Sequence, residues 1–190
     1  MPRRPYTDSA MRLFIGIPVA GAVVRELSAL CEGLRAGTDG FRWSAPESWH
    51  ITLQFLGDST EEQYERLAAR LGEIHSAPAP IEVGRPGIFE RAGIFHVDVE
   101  LTDGLVALQR QVTARTALCG FQPEDRPYRP HITLARAKGD AGRRQLKQLR
   151  ERVQAHPHFT AFTAREFLLY ESRLGPGGSK YEVRAAFALG

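Results

Sequence analysis

The tetrapeptide His50-Ile51-Thr52-Leu53 returns 81 positions later as His131-Ile132-Thr133-Leu134. Each copy lies in a stretch that reads as a strand, Trp49 to Leu56 in one case and Arg129 to Ala135 in the other. Side chains alternate across a strand, so His50 and Thr52 share one face while Ile51, Leu53 and Phe55 take the other. His131 and Thr133 stand in the same relation to Ile132 and Leu134. The apolar faces belong in a core, which leaves two His/Thr pairs facing out of it. Either copy alone is most simply a solvated pair on a half-exposed strand. Two identical copies, one in each half of the chain, point instead to two lobes that turn both pairs toward one groove.

The rest of the chain alternates helical and strand periods. Residues 12–17 read as a strand, and residues 19–36 as a helix with Val24, Leu27, Leu30, Cys31 and Leu34 at helical spacing. Gly57-Asp58 is expected to end the strand of the first tetrapeptide. Ser59-Thr60-Glu61-Glu62 then opens a helix with a capping residue and early acids, and Tyr64, Leu67, Ala68 and Leu71 form its buried stripe. Residues 81–89 and 93–101 read as a strand pair, Asp103 to Leu118 as a helix, and Gly142 to Ala155 as a basic helix with Leu146, Leu149 and Val153 inward. Strands over 165–172 and 180–188 finish the chain around the turn Gly175-Pro176-Gly177-Gly178. The order predicts an α+β fold, with antiparallel strands and helices packed outside.

No linker or low-complexity segment divides the chain. Residues 11–190 are therefore expected to form a single domain, and residues 1–10 a loose, disordered extension ahead of a second methionine, Met11. A chain of 190 residues with 43% hydrophobic content can bury a core without staples, and 25% charged residues are ordinary for a globular protein. Cys31 and Cys119 form no C-x-x-C pair, which argues against a disulfide scaffold or a zinc ribbon. No apolar run approaches the roughly 18 residues of a membrane span. The first ten residues make a poor signal peptide, so a cytoplasmic location is expected. A formal net charge of +3 suits an anionic ligand without specifying one.

Two imidazoles and two hydroxyls in one groove define a chemistry. Histidine gives and takes protons near neutral pH, and two facing rings can serve as general base and general acid on opposite sides of a reacting centre. Threonine hydroxyls can donate to oxyanions as charge builds. The set suits in-line displacement at phosphorus. No Ser/His/Asp order or Cys/His pairing competes with it, and no acidic cluster suggests a metal, so neither metal nor cofactor is expected. Elsewhere, His75 and His156-Pro157-His158 read as helix-end and loop histidines, and His96 as an exposed residue on the polar face of its strand, with lining of the cleft as the alternative. The basic run Arg143, Arg144, Lys147, Arg150 and Arg152 reads as a solvated helix face, with contact to an RNA backbone as the alternative. Arg126, Tyr128 and Arg129 precede the second tetrapeptide, in a loop that could meet bases or phosphates.

The two tetrapeptides resemble the paired H-x-T/S-x motifs of the 2H phosphoesterase superfamily, and more closely its RNA 2′,3′-cyclic phosphodiesterase (2′-5′ RNA ligase-like) branch. The resemblance extends to Arg12-Leu13-Phe14-Ile15-Gly16-Ile17, to Trp43 with the run from Trp49 to Gly57, to Pro130 through Arg136, and to Glu171-Ser172-Arg173-Leu174 with Tyr181-Glu182-Val183. It covers residues 11 to 189. It implies a bilobal α+β fold in which two antiparallel sheets flank a central cleft. It also implies metal-independent hydrolysis of a terminal 2′,3′-cyclic phosphate on RNA to a 2′-phosphomonoester, with RNA ends or oligonucleotides as partners and a monomeric enzyme. In that scheme His50 is the proton donor to the departing O3′ and His131 the proton acceptor that activates water. Thr52, Thr133 and Arg136 bind the phosphate. Strict alternation would place Arg136 on the core face, so its role requires the strand to end or twist there. Two rivals share the groove: 2′-5′ RNA ligation by the reverse chemistry, and a nucleotide-binding module without turnover.

Overall fold

A computed structural model describes residues 10–153, 157–175 and 178–190. Residues 1–9 of the expected extension, His156 of the His-Pro-His run, and Pro176 and Gly177 of the last turn lie outside the described residues. The elements run β1 (Met11–Pro18), α1 (Gly21–Arg35), β2 (Phe41–Trp43), a 3-10 turn (Pro46–Ser48), β3 (His50–Ser59), α2 (Glu61–Gly72), β4 (Ala79–Ile81), β5 (Val83–Phe89) and β6 (Ile94–Val99). Then follow α3 (Asp103–Ala117), β7 (His131–Ala137), α4 (Gly139–Glu151), β8 (Phe162–Ala164), β9 (Glu166–Gly175) and β10 (Gly178–Ala188). The expected α+β class holds. The three-residue strands β2, β4 and β8 are additions, too short for a period-two pattern to register.

One sheet runs β10-β9-β1-β3-β7-β6-β5, with β2 beside β7, and every pairing is antiparallel. The two expected sheets are the halves of this path, and β3 and β7 join them through the single pair Ile51–Ile132. Outward from the joint the halves match: β3, β1, β9 on one side and β7, β6, β5 on the other. The connections match too, since α1 lies between β1 and β3 and α3 between β6 and β7, while α2 follows β3 and α4 follows β7. The short strands β4 and β8 occupy equivalent places and pair with each other.

The helices bury apolar stripes against one face of this sheet. Val23, Leu27, Cys31 and Leu34 of α1 recur at three- and four-residue intervals, and Leu105, Leu108 and Val112 of α3 do the same. They share a core with Leu13, Ile15, Ile17, Ile51, Leu53, Ile132 and Leu134 of the strands. Both cysteines are free thiols buried in it. The signal read before α2 is a complete capping box: Gln63 N donates to Thr60 Oγ1 at 3.2 Å, and Thr60 N donates to Gln63 Oε1 at 2.9 Å. Gly57 does not end β3. Its φ of +78° carries the strand past an extra residue, Leu56, and on to Ser59.

A second irregularity shapes the groove. In the β1–β3 ladder Ile15 and Gly16 face Gln54 and Thr52, so Leu53 is an extra residue. In the β6–β7 ladder Phe95 and His96 face Ala135 and Thr133, so Leu134 is extra. Both tetrapeptides therefore end in a β-bulge at their leucine, which reverses the alternation beyond it. The two strands then bury the same positions in the same order. Gln54 turns inward, where Thr116 Oγ1 of α3 donates to its Oε1 at 2.7 Å. Phe55 turns outward and is 55% exposed, which corrects the core-facing placement that strict alternation implies. Arg136, the matching residue of the second copy, turns outward as well.

The close approach of α4 to the segment before β2 offers a test of the packing. A Cβ on Gly142 would run into the Gly40 carbonyl, whereas a Cβ on Gly33 of α1 would meet open space. Gly142→Ala is expected to destabilise the protein by about 1–3 kcal/mol. Gly33→Ala is expected to stabilise it by about 1 kcal/mol, because glycine is a poor helix former. Urea unfolding of the two variants beside the parent checks both signs.

Candidate active site

The joint between the halves is also the floor of the groove. The antiparallel register that pairs Ile51 with Ile132 sets His50 across from Thr133 and Thr52 across from His131. The four side chains stand on the face opposite the helices, and a cleft of about 1170 Å³ opens over them. His50, Thr52, His131, Thr133 and Arg136 all line this one cleft. Arg136 reaches it because of the bulge at Leu134.

The two histidines are held in the same way. His50 Nδ1 lies 2.8 Å from the Ser48 carbonyl, and His131 Nδ1 lies 2.8 Å from the Arg129 carbonyl. Each ring is thus tied to the residue two positions before it, in the 3-10 turn at Pro46–Ser48 in one case and the proline-flanked loop before β7 in the other. A carbonyl only accepts, so Nδ1 carries a proton in both rings and Nε2 is the nitrogen left for chemistry.

Their surroundings differ. His50 sits among aromatic rings, 4.6 Å from Phe14, 5.8 Å from Tyr170 and 5.1 Å from Tyr181 between centroids. Gly16 makes room for it, since a Cβ there would lie 3.0 Å from the Ile51 carbonyl and 3.4 Å from the His50 ring. Burial pushes the His50 pKa down to about 4, against the pull of the Ser48 carbonyl, and the nearby His131 and Arg136 add to the depression. His131 instead meets Phe89 edge-on at 4.9 Å and His96 at 5.4 Å. Burial lowers its pKa too, but the Asp98 carboxylate acts in the opposite sense.

The contrast has a positional origin. Gly16 and Pro18 of β1 pair with Thr52 and His50. The matching places on β6 are His96, paired with Thr133, and Asp98, paired with His131. His96 was expected to be exposed, yet it is 1% exposed. Its ring stacks on Phe89 at 4.0 Å, and its Nε2 donates to Asp98 Oδ1 at 3.0 Å. Gly87 explains the burial: the ring of its cross-strand partner His96 lies over it, where a Cβ would come within 2.8 Å of Nε2. Burial drives the His96 pKa down to about 4, so this contact is a hydrogen bond from a neutral ring.

The loop before β7 contributes differently from its sequence reading. Tyr128 is partly buried, and its hydroxyl donates to the Thr52 carbonyl at 3.1 Å, tying the second half of the chain to the first. Arg129 lies over Phe89 at 4.9 Å, and Arg126 pairs with Glu124 at 3.0 Å, all of them lining the cleft. The basic residues of α4 and its end lie outside the cleft. Arg143 donates to the Arg91 carbonyl, Arg152 donates to the Ala36 carbonyl, and Lys147 pairs with Glu90. His75 and His158 are exposed and away from the cleft. Among the described residues no three His, Cys, Asp or Glu side chains gather as a metal ion would require. No helix among them is long and apolar enough to cross a membrane.

The family model of LigT-like phosphoesterases matches the chain twice, over residues 17–96 and 97–181, with one tetrapeptide in each match. The chain belongs to the LigT-like phosphoesterase family. An RNA 2′,3′-cyclic phosphodiesterase of Thermotoga maritima is 31% identical over 178 residues, 91% of this chain and 92% of that protein. One from Archaeoglobus fulgidus is 28% identical over 182 residues, 93% of this chain and 99% of its own length. The crystal structure of Escherichia coli LigT complexed with 3′-AMP superposes with a TM-score of 0.78 at 22% identity, over 95% of this chain and 99% of the other. At that identity the likeness is one of fold.

In this phosphoesterase the cleft residues that sequence reasoning missed are Phe55 and Tyr181, and behind the cleft wall it missed the burial of His96. Phe55 was assigned to the wrong face, His96 to the solvent, and Tyr181 had only its place in the final hairpin as a signal. The charge beside His131 can be tested directly. Asp98→Asn removes a group that favours its protonated form, so the His131 midpoint should move to lower pH while that of His50 stays. Proton NMR titration of the two ring Cε1–H resonances reads both. Equal movement of both midpoints, or of neither, would show that Asp98 does not distinguish the two rings.

Proposed function

We propose that this phosphoesterase hydrolyses the terminal 2′,3′-cyclic phosphate of RNA to a 2′-phosphomonoester, with His50 and His131 as general acid and base. The reading is supported most by one observation: two histidines with the same Nδ1–carbonyl anchor present their Nε2 atoms to one cleft, each beside a threonine. The names carried by the T. maritima and A. fulgidus relatives agree with it. His131 Nε2 takes a proton from water as the new P–O bond forms. His50 Nε2 gives its proton to O3′ as the P–O3′ bond breaks. In-line displacement keeps the attacking and leaving oxygens on opposite sides of phosphorus, where two facing rings reach both. Thr52 and Thr133 donate to the non-bridging oxygens, and Arg136 balances their charge. Phe55, exposed on the matching position of the other half, offers a face on which the terminal base can stack.

The donor and acceptor roles follow the family resemblance, and the opposite assignment shares the same geometry. Burial lowers the pKa of both rings, and near His131 the Asp98 carboxylate favours a proton while Arg136 and Arg129 disfavour one. A cyclic substrate with a better leaving group at the 3′ position decides between them. It should largely rescue His50→Ala and leave His131→Ala inactive, and the opposite pattern would exchange the roles. Each alanine variant should lose about 10²–10⁴-fold in rate on the ordinary substrate. We further read residues 11–190 as one bilobal unit working as a monomer in the cytoplasm, which a single species of monomer mass in light scattering would support for the oligomeric state.

The pH dependence has a definite sign. Catalysis needs one protonated and one neutral ring, so kcat/KM follows a bell set by the two apparent values of the pair in the free enzyme. Both are depressed, so the bell should centre below pH 6.5. The rate falls on the alkaline side as the acid loses its proton, and on the acidic side as the base gains one. Bound substrate adds a negative charge beside both rings and favours their protonation, so the bell in kcat should lie at higher pH than the bell in kcat/KM. Profiles collected in EDTA check this order. A requirement for a divalent ion in the same buffers would count against the metal-independent mechanism.

A further inference from the structure

Beside the cleft lies a second cavity, of about 430 Å³, that shares Ser44, Ser48, Arg136 and Tyr181 with it as a common wall. Its remaining lining includes Arg42 of β2 and Ser179 and Lys180 of β10. Arg42 and Arg136 are direct cross-strand partners in the β2–β7 ladder. Like charges in that relation repel and destabilise a sheet. Yet among the described residues none of Arg42, Arg136 and Lys180 has a carboxylate within ion-pair distance. Glu47 lines the same groove and is also beyond that distance. Cations nearby are treated otherwise: Arg173 is matched to Glu171 and Glu182, and Arg184 to Glu171, all at 3.0–3.1 Å. Gly178 has a φ of +118°, and a Cβ there would come within 3.4 Å of Arg42 Nε, so the turn leaves the guanidinium its place over the hairpin.

Three cations without an ion-pair partner among the described residues thus line one groove together with Ser44, Ser48 and Ser179, and Arg136 belongs to the catalytic cleft as well. We propose that this groove is a second phosphate subsite, which binds the phosphate on the 5′ oxygen of the terminal nucleoside. The inference rests on the cyclic-phosphodiesterase reading of the cleft. That phosphate is the next negative charge along an RNA strand from its cyclic end. It would lie in the groove while the cyclic phosphate meets the histidines, with Arg136 between the two. The subsite would make a 5′-phosphorylated or polymeric end a better substrate than a bare nucleoside cyclic phosphate.

Calorimetry with adenosine 2′-phosphate and adenosine 2′,5′-bisphosphate tests this without any turnover. The parent protein should bind the bisphosphate roughly ten- to a hundredfold more tightly, the range for charge-assisted hydrogen bonds to one added phosphate. In the double variant R42A/K180A the ratio of the two affinities should fall toward one. No advantage in the parent, or an undiminished one in the variant, would overturn the proposal; the latter would send the phosphate elsewhere, such as toward Arg110 on the far wall of the cleft. Adenosine 2′,3′-cyclic phosphate with and without a 5′-phosphate separates this failure from that of the underlying reading. Hydrolysis of both at equal kcat/KM sinks the subsite and leaves the activity. Hydrolysis of neither sinks the activity, and the calorimetric ratio then still judges the groove.

Discussion

Everything in the cleft depends on one backbone pairing, Ile51 with Ile132. It joins two similar halves of the sheet antiparallel to each other, and it does so at the second residue of each tetrapeptide. The flanking residues are then opposed by necessity, histidine to threonine on either side. Both isoleucines are fully buried, so the register is held by the apolar surface beneath it as well as by the ladder. A slip of one residue would expose that surface and send the histidines into the core.

The shared face of the histidine and threonine in each tetrapeptide was legible in the sequence, because alternating character declares the two faces of a strand; the direct pairing of the two strands was not, since they were expected in two sheets across the cleft. Nor were the bulges. An extra residue at Leu53 and Leu134 leaves the amino-acid pattern unchanged, since leucine suits either side of the slip. Phe55 was therefore placed inward, and Arg136 could be brought to the cleft only by supposing some break in the strand. The burial of His96 was hidden for a related reason. Alternation placed it correctly on the face away from the helices, but that face is itself covered, by the ring of Phe89 and by the close approach of His96 to Gly87. The cover is formed by a neighbouring strand, and no local pattern reports it.

The symmetry of the tetrapeptides conceals an asymmetry in what stands behind them. The first copy is backed by Gly16, Pro18 and an aromatic wall, the second by a histidine and a carboxylate. Equal side chains with equal anchors thereby stand in unequal surroundings, His50 buried among aromatic rings and His131 beside a carboxylate and two guanidinium groups. Beyond the bulges the same division recurs, with Phe55 as an apolar surface on one side and Arg136 as a charge on the other. The repeat supplies a matched pair, and differences in the neighbouring strands make its members distinct.

The place of β9 in the sheet has a consequence for how the protein is made. Its partner is β1, so the edge of the first half is completed only by residues 166 to 175, and β10 then covers β9 in turn. β4 likewise finds its partner only at 162–164. A ribosome that has released the first 100 residues has delivered one full copy of the repeat, yet that copy lacks its outer strands. Contacts of such sequence separation close slowly, and domains otherwise tend to fold from the N-terminus as they emerge. On this topology one edge of β1 has no strand to pair with until residues 168–171 have been made.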